Sequence, residues 1–288
     1  MDCTALILEG GGMRGAFTAG VLDYWLDRNL LFHNVYGVSA GACQACSYLC
    51  RQKGRAQRIW INYCNDKRFC SFSSFLKTGD IFNVDFNYRQ IPTELDPIDN
   101  DAYLKNDCRF YAVVTNLRTG QPEYLRVKDM FKDVSYVQAS SSLPLLSRPV
   151  RINGQLYLDG GVADSIPLSR SIRDGYPRSI LILTQPPGYR KSPNKAIRLI
   201  AAKYKAYPQF VETMRRRHEI YNQTLDLVES ERRAGRAFVI QPNTAPSVGR
   251  IEHDPQKLQA LYDMGYHAAE ERYNELIEFL YYDVCCKD

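Results

Sequence analysis

Apolar residues run without interruption from Thr4 to Leu8 and stop at a triple glycine. A run of this kind suits the buried centre of a parallel sheet. The pattern that follows predicts a helix from about Met13 to Asp27. Val35 and Tyr36 then lead a second strand into Gly37, and Ala40 to about Arg51 reads as another helix. This strand–turn–helix–strand–turn–helix order opens a βαβ sheet and places the chain in the α/β class, with a mainly parallel central sheet.

Periodicity fades between about Phe69 and Asp101, where Phe69, Phe72, Phe75, Phe82, Phe86 and Tyr88 accumulate among Pro, Asp and Asn. The expectation there is a long irregular cover, which either walls a pocket for an apolar chain or packs over a sheet edge. Arg109 to Thr115 and Glu123 to Val127 read as strands joined through Leu117-Arg118-Thr119-Gly120. A tighter hairpin is expected where Asn153-Gly154 separates Pro149–Ile152 from Gln155–Leu158, because that dipeptide accepts the positive φ of a two-residue turn. Asp159 therefore falls at a strand exit. Ser179 to Thr184 and Ala237 to Ile240 look like buried strands of the same sheet, separated by helices over roughly Asn194 to Arg233. The Pro-, Asn- and Ser-containing segment Pro242 to Pro255 precedes a terminal helix to about Tyr281.

With 288 residues, 45% apolar and 24% charged, the chain fits an ordinary globule. No apolar run approaches the roughly 18–20 residues that span a bilayer, and the N-terminus lacks a basic start followed by a cleavable apolar stretch. A cytoplasmic location is expected, and the nine cysteines suit a reducing compartment. Cys43, Cys46 and Cys50 share a helical face, but no second pair completes a zinc set, so close packing of small thiols is the better reading. Cys285-Cys286 reads as an incidental pair. No metal and no cofactor are expected.

The formal charge of +5 is uneven. Nine Lys and Arg residues lie between Arg190 and Arg217, opposed there only by Glu212. The 190–217 stretch can make peripheral contact with an anionic membrane face, or it is a solvated helix surface. No nucleic-acid motif accompanies it.

Three short stretches carry chemistry. Gly10-Gly11-Gly12-Met13-Arg14-Gly15, between strand and helix, lets backbone amides face an anion at a helix N-terminus. It also fits a dinucleotide fingerprint, although the second strand ends in Gly37-Val38-Ser39 where an acidic ribose ligand is expected. Arg14 opposes the helix dipole unless a carboxylate such as Glu9, or a developing oxyanion, compensates it. Gly37-Val38-Ser39-Ala40-Gly41 has the form of an elbow that exposes Ser39 on a sharp turn; alternatively Ser39 only caps the helix. The base that activates it is sought among His33, His218, His253, His267 and Asp159. Asp159, beside Gly160 and Gly161 at a strand exit, is better placed than any histidine, with turn stabilisation as its structural alternative. As a base it requires burial, which raises a carboxyl pKa.

Together these residues resemble the patatin-like phospholipase family, with its Gly-Gly-Gly-x-Arg/Lys-Gly loop, Gly-x-Ser-x-Gly elbow and Asp-Gly-Gly/Ala motif. The likeness runs from Leu6 to about Leu168 and takes in Ala139–Pro144 and Asp164-Ser165-Ile166-Pro167. The remainder, with Tyr207-Pro208, His218 and Tyr221-Asn222, is similar to a compact bacterial branch carrying a helical C-terminal extension. The resemblance implies a three-layer α/β/α fold with a core over residues 4–172. Residues 173–288 then supply the remaining strands and the extension on the same domain. It further implies Ser39 as nucleophile, Asp159 as proton acceptor, oxyanion donors around Gly11, Gly12 and Met13, and Arg14 supporting the loop. The implied activity is metal-free hydrolysis of a lipid ester through a Ser-Asp dyad. A non-catalytic nucleotide- or lipid-phosphate-binding module is the alternative.

Overall fold

The computed structural model describes residues 3–281. Among them, eight strands form one sheet. The strands are β1 (Thr4–Leu8), β2 (Asn34–Val38), β3 (Arg109–Asn116), β4 (Pro122–Val127), β5 (Val150–Ile152), β6 (Gln155–Asp159), β7 (Arg178–Ile182) and β8 (Ala237–Ile240). Their spatial order is β5-β6-β3-β2-β1-β7-β8, with β4 also paired to β3. From β3 through β2, β1 and β7 to β8 every pairing is parallel, whereas β4, β5 and β6 add antiparallel pairings at one side.

Strand β1 sits at the centre with all five residues buried, because helices cover both faces. Leu6 and Leu8 point into a core shared with α1 (Gly15–Asp27), α2 (Ala40–Leu49), α3 (Arg55–Tyr63) and α10 (Pro255–Glu271). Ile7 points the other way, towards Leu168 of α7 (Leu168–Arg173) and Tyr221 of α9 (Pro208–Arg233). The period-two alternation of a strand thus divides the fold into three layers, α/β/α.

The remaining helices are α4 (Phe72–Thr78), α5 (Asn100–Lys105), α6 (Val134–Ser140), α8 (Ile197–Lys203) and α11 (Tyr273–Tyr281). The Asn153-Gly154 hairpin forms with φ of 48° and 79°. Two expectations need correction. The segment from Phe69 to Asp101 is not irregular: it contains α4, a π-helix at Phe86–Leu95 and the start of α5, after an α3 that the pattern had not indicated. A π-helix bonds i to i+5, as in Asp96 N–H to Ile91 C=O, so its side chains do not recur at 3.6, and Pro92 inside it further disguises a helix. The terminal helix is two helices, separated at Arg272.

Helix α10 lies so close to α1 that a Cβ added at Gly265 would fall within contact of the Phe17 carbonyl oxygen, which is backbone and cannot step aside. Gly265→Ala should therefore push α10 off α1 and cost about 1–3 kcal/mol, read as a lower urea midpoint at unchanged slope. A midpoint equal to wild type would contradict this packing.

Candidate active site

Strand β2 ends at Val38, paired with Val113 of β3, and β6 ends at Asp159, paired with Val114. Because β4 takes the other edge of β3, β2 and β6 share one edge of it and run head-on, so the residues that leave these two ends face each other. The turn after β2 holds Ser39 at φ 54°, ψ −123°, a conformation costing a non-glycine residue on the order of 1–3 kcal/mol and persisting only where its surroundings enforce it. The enforcement is visible. Ser39 N–H donates to Ser140 Oγ at 2.9 Å, Ser140 Oγ donates to Val113 C=O at 2.6 Å, and Gly41 passes directly beneath the Leu8 carbonyl, where no Cβ fits.

Ser39 does not cap α2 with its side chain. Its Oγ donates instead to Asp159 Oδ2 at 2.7 Å. The other carboxylate oxygen, Oδ1, accepts Gly161 N–H at 2.7 Å, while Asp159 N–H donates to Ser142 C=O and Asp159 C=O accepts from Thr115 Oγ1. Asp159 is buried, and loss of water raises its pKa above the ordinary 3.8. The Ser39 and Gly161 hydrogen bonds and the positive Arg217 and Arg250 oppose that rise without cancelling it.

None of the four histidines hydrogen-bonds to this pair. His33, His218 and His253 each meet a backbone carbonyl, of Asp107, Arg215 and Cys64 respectively, and His267 meets Glu270. Among the described residues no group of three or more His, Cys, Asp or Glu is disposed to hold a metal. Cys285-Cys286 lies outside the described residues.

The glycine-rich turn lies against Ser39. Gly12 has φ 60° and faces the Arg250 backbone, and Met13 N–H donates to Arg250 C=O at 3.1 Å. Gly15 N–H turns back to the Gly12 and Met13 carbonyls. Of the expected set Gly10 to Gly15, Met13 N–H and Gly15 N–H thus meet backbone carbonyls, and Gly10, Gly11, Gly12 and Arg14 border the smaller of two cavities beside Ser39.

Two cavities meet at Ser39 and Gly12. One, of about 160 Å³, is apolar and walled by Trp60, Phe69, Phe82, Tyr88 and Ile91, with Cys43 and Cys46 of α2 in its lining. Phe72, in contrast, is exposed on α4. The second cavity, of about 40 Å³, is bounded by Arg14, Asp159, Lys191, Arg217, Tyr221 and Arg250. Glu9 is buried, but its carboxylate accepts from Thr184 N–H, Thr184 Oγ1 and Tyr221 OH and makes no ion pair with Arg14.

The basic 190–217 stretch is accordingly not one solvated face. Arg190, Arg215 and Arg216 pair with Asp226, Glu212 and Glu219, whereas Lys191 and Arg217 turn towards Ser39. Sequence reasoning missed this, although Arg217 falls in register with Phe210, Met214 and Tyr221 on the buried stripe of α9. Arg250, in a segment without periodicity, offered no such signal.

Asp159 also has a measurable cost. Its folded pKa lies above the unfolded one, so its favourable contribution is complete at low pH and lost as pH rises through the folded value. Asp159→Asn should raise the Tm at pH 7 and lose that advantage near pH 3. A lower Tm than wild type at pH 7 would contradict the burial of a carboxylate at this position.

Comparison with known proteins gives the family of the chain. The family model described as patatin-like phospholipase matches residues 6–171, and a domain of unknown function (DUF6363) matches residues 207–281. The chain is 32% identical over 188 residues to the uncharacterized protein YjjU of Escherichia coli, covering 63% of this chain and 52% of that protein. It is 27% identical over 166 residues to lysophospholipase nte1 of Aspergillus terreus, covering 56% of this chain and 10% of that one. The chain thus spans about half the length of the first relative and a tenth of the second. A crystal structure of VipD from Legionella pneumophila aligns with TM-score 0.47 and 14% identity over 96% of this chain and 67% of that one. With the family model matching more than half of its residues, the chain belongs to the patatin-like phospholipase family.

Proposed function

We propose that the protein is a serine acyl hydrolase that cleaves fatty-acyl esters of phospholipids or related lipids through Ser39 and Asp159. The observation that carries this reading is the 2.7 Å hydrogen bond from a strained serine to a buried carboxylate, at the point where an apolar cavity meets the glycine-rich turn.

In this reading Ser39 Oγ attacks the ester carbonyl carbon while its proton passes to Asp159 Oδ2, whose raised pKa makes that transfer less uphill. The carbonyl oxygen takes up negative charge within reach of the Gly10, Gly11 and Gly12 amides, each such donor being worth ~3–4 kcal/mol in related sites. Asp159 returns the proton to the leaving alcohol, leaving an acyl-enzyme on Ser39. Water, deprotonated by the same carboxylate, attacks that ester, and Asp159 gives the proton to Ser39 Oγ as the acyl–Oγ bond breaks and the fatty acid leaves. The acyl chain occupies the apolar cavity. The lysophospholipase named among the relatives supports a lipid ester as substrate.

No helix among the described residues is long and apolar enough to cross a membrane. We place the protein in the cytoplasm, meeting lipid peripherally through Lys195, Arg198, Lys203 and Lys205, which pair with no carboxylate among the described residues. The free cysteines suit that compartment.

A fluorophosphonate probe should label the wild type and leave Ser39→Ala unlabelled and inactive on short-chain esters and lysophospholipid. Asp159→Asn should lose about 10²–10⁴-fold in kcat. A folded Ser39→Ala that labels and turns over like wild type would overturn the assignment.

A further inference from the structure

Four cations converge on the smaller cavity beside Ser39: Arg14 from the glycine-rich turn, Lys191 before α8, Arg217 from α9 and Arg250 from the segment before α10. Among the described residues none of them forms an ion pair. Arg14 Nε is buried with no hydrogen-bond partner. The Lys191 ammonium lies over the Tyr221 ring, 4.0 Å from its centroid, with no acceptor. Arg217 uses Nε alone, donating to Gly161 C=O at 2.5 Å. The two carboxylates nearby are already engaged, Glu9 by Thr184 and Tyr221, Asp159 by Ser39 and Gly161.

So many like charges side by side repel one another. Burial above all, joined by the charges of Arg217, Arg250 and Arg14, lowers the Lys191 pKa to about 7 against the opposing pull of Glu9. Such an arrangement is unfavourable when empty and favourable around an oxyanion with several acceptor oxygens, for which guanidinium groups are the best-matched donors. About 40 Å³ holds a tetrahedral oxyanion but no acyl chain, and the cavity shares Ser39 and Gly12 with the apolar one.

We propose that this cavity is a phosphate subsite that binds the phosphate of the substrate's headgroup while the acyl chain lies in the apolar cavity, so that the preferred substrate is a phosphate-bearing lipid ester. The proposal rests on the serine hydrolase reading above and names its substrate class. Lys191, Arg217 and Arg250 all lie beyond residue 171, and the last two fall within residues 207–281. The C-terminal extension thereby acquires a role, as the part of the chain that selects the headgroup.

The test has a binding arm and a turnover arm. Glycerol 3-phosphate, inorganic phosphate and glycerol are titrated into Ser39→Ala by calorimetry, a readout that does not depend on catalysis. Turnover of lysophosphatidic acid and of monoacylglycerol with the same acyl chain is then compared in wild type, Lys191→Gln and Arg250→Gln. Glycerol 3-phosphate should bind at least tenfold more tightly than glycerol, and less tightly above pH 7 as Lys191 loses its proton. Each variant should lower kcat/KM for the phosphate ester by about tenfold or more relative to the neutral ester, through KM. Equal losses on both esters would overturn the proposal, as would glycerol 3-phosphate binding no better than glycerol. Tight binding of inorganic phosphate with no preference for the phosphate ester would also overturn it, by assigning the site to the free ion. Failure of the hydrolase reading itself is separately visible, as turnover that survives in Ser39→Ala.

Discussion

Everything in this site depends on keeping the Asp159 carboxylate away from water and within hydrogen-bond reach of one hydroxyl. A carboxylate is costly to bury, and a serine at positive φ is costly to hold. The sheet meets both costs by seating β2 and β6 end to end along one edge of β3, so that the two chain ends meet level with Val113 and Val114. Ser140, between Val113 and the Ser39 amide, ties the elbow to that same strand.

The antiparallel strands are as necessary to this geometry as the parallel ones. A strand parallel to β3 in the place of β6 would begin beside Ser39 and carry its C-terminal residue away from it. The short β5–β6 hairpin instead returns β6 against β3 and ends it on Asp159. The carboxylate then accepts Gly161 N–H from its own turn, which fixes one oxygen and aims the other. Around this pair the polarity divides. Aromatic and aliphatic residues of the helical cover close one side, and cations drawn largely from the C-terminal extension close the other.

Much of this arrangement was legible along the chain. The apolar run of β1, the glycine-rich turn, the Ser39 elbow and the Asn153-Gly154 hairpin leading to Asp159 all follow from local rules of strand, turn and helix. What stayed hidden depends on long-range packing or on unusual periods. The π-helix at Phe86–Leu95 breaks the 3.6-residue recurrence, and Pro92 argues locally against any helix. Adjacency in sequence made Arg215, Arg216 and Arg217 look alike, yet only Arg217 sits on the stripe that faces the sheet. Arg250 reaches the glycine turn through its backbone carbonyl, a contact that no side-chain pattern encodes.

The central claim is that a buried carboxylate, and no imidazole, takes the Ser39 proton. The most direct measurement is the second-order rate of Ser39 phosphonylation by a fluorophosphonate as a function of pH. It should be made in wild type, in Asp159→Asn and in a variant with His33, His218, His253 and His267 replaced. The account predicts a rate that falls below a single ionisation lying above the ordinary carboxyl value, that loses this dependence and most of its magnitude in Asp159→Asn, and that persists without the histidines. Wild-type rates in Asp159→Asn, or loss of labelling in a folded histidine-free protein, would contradict it.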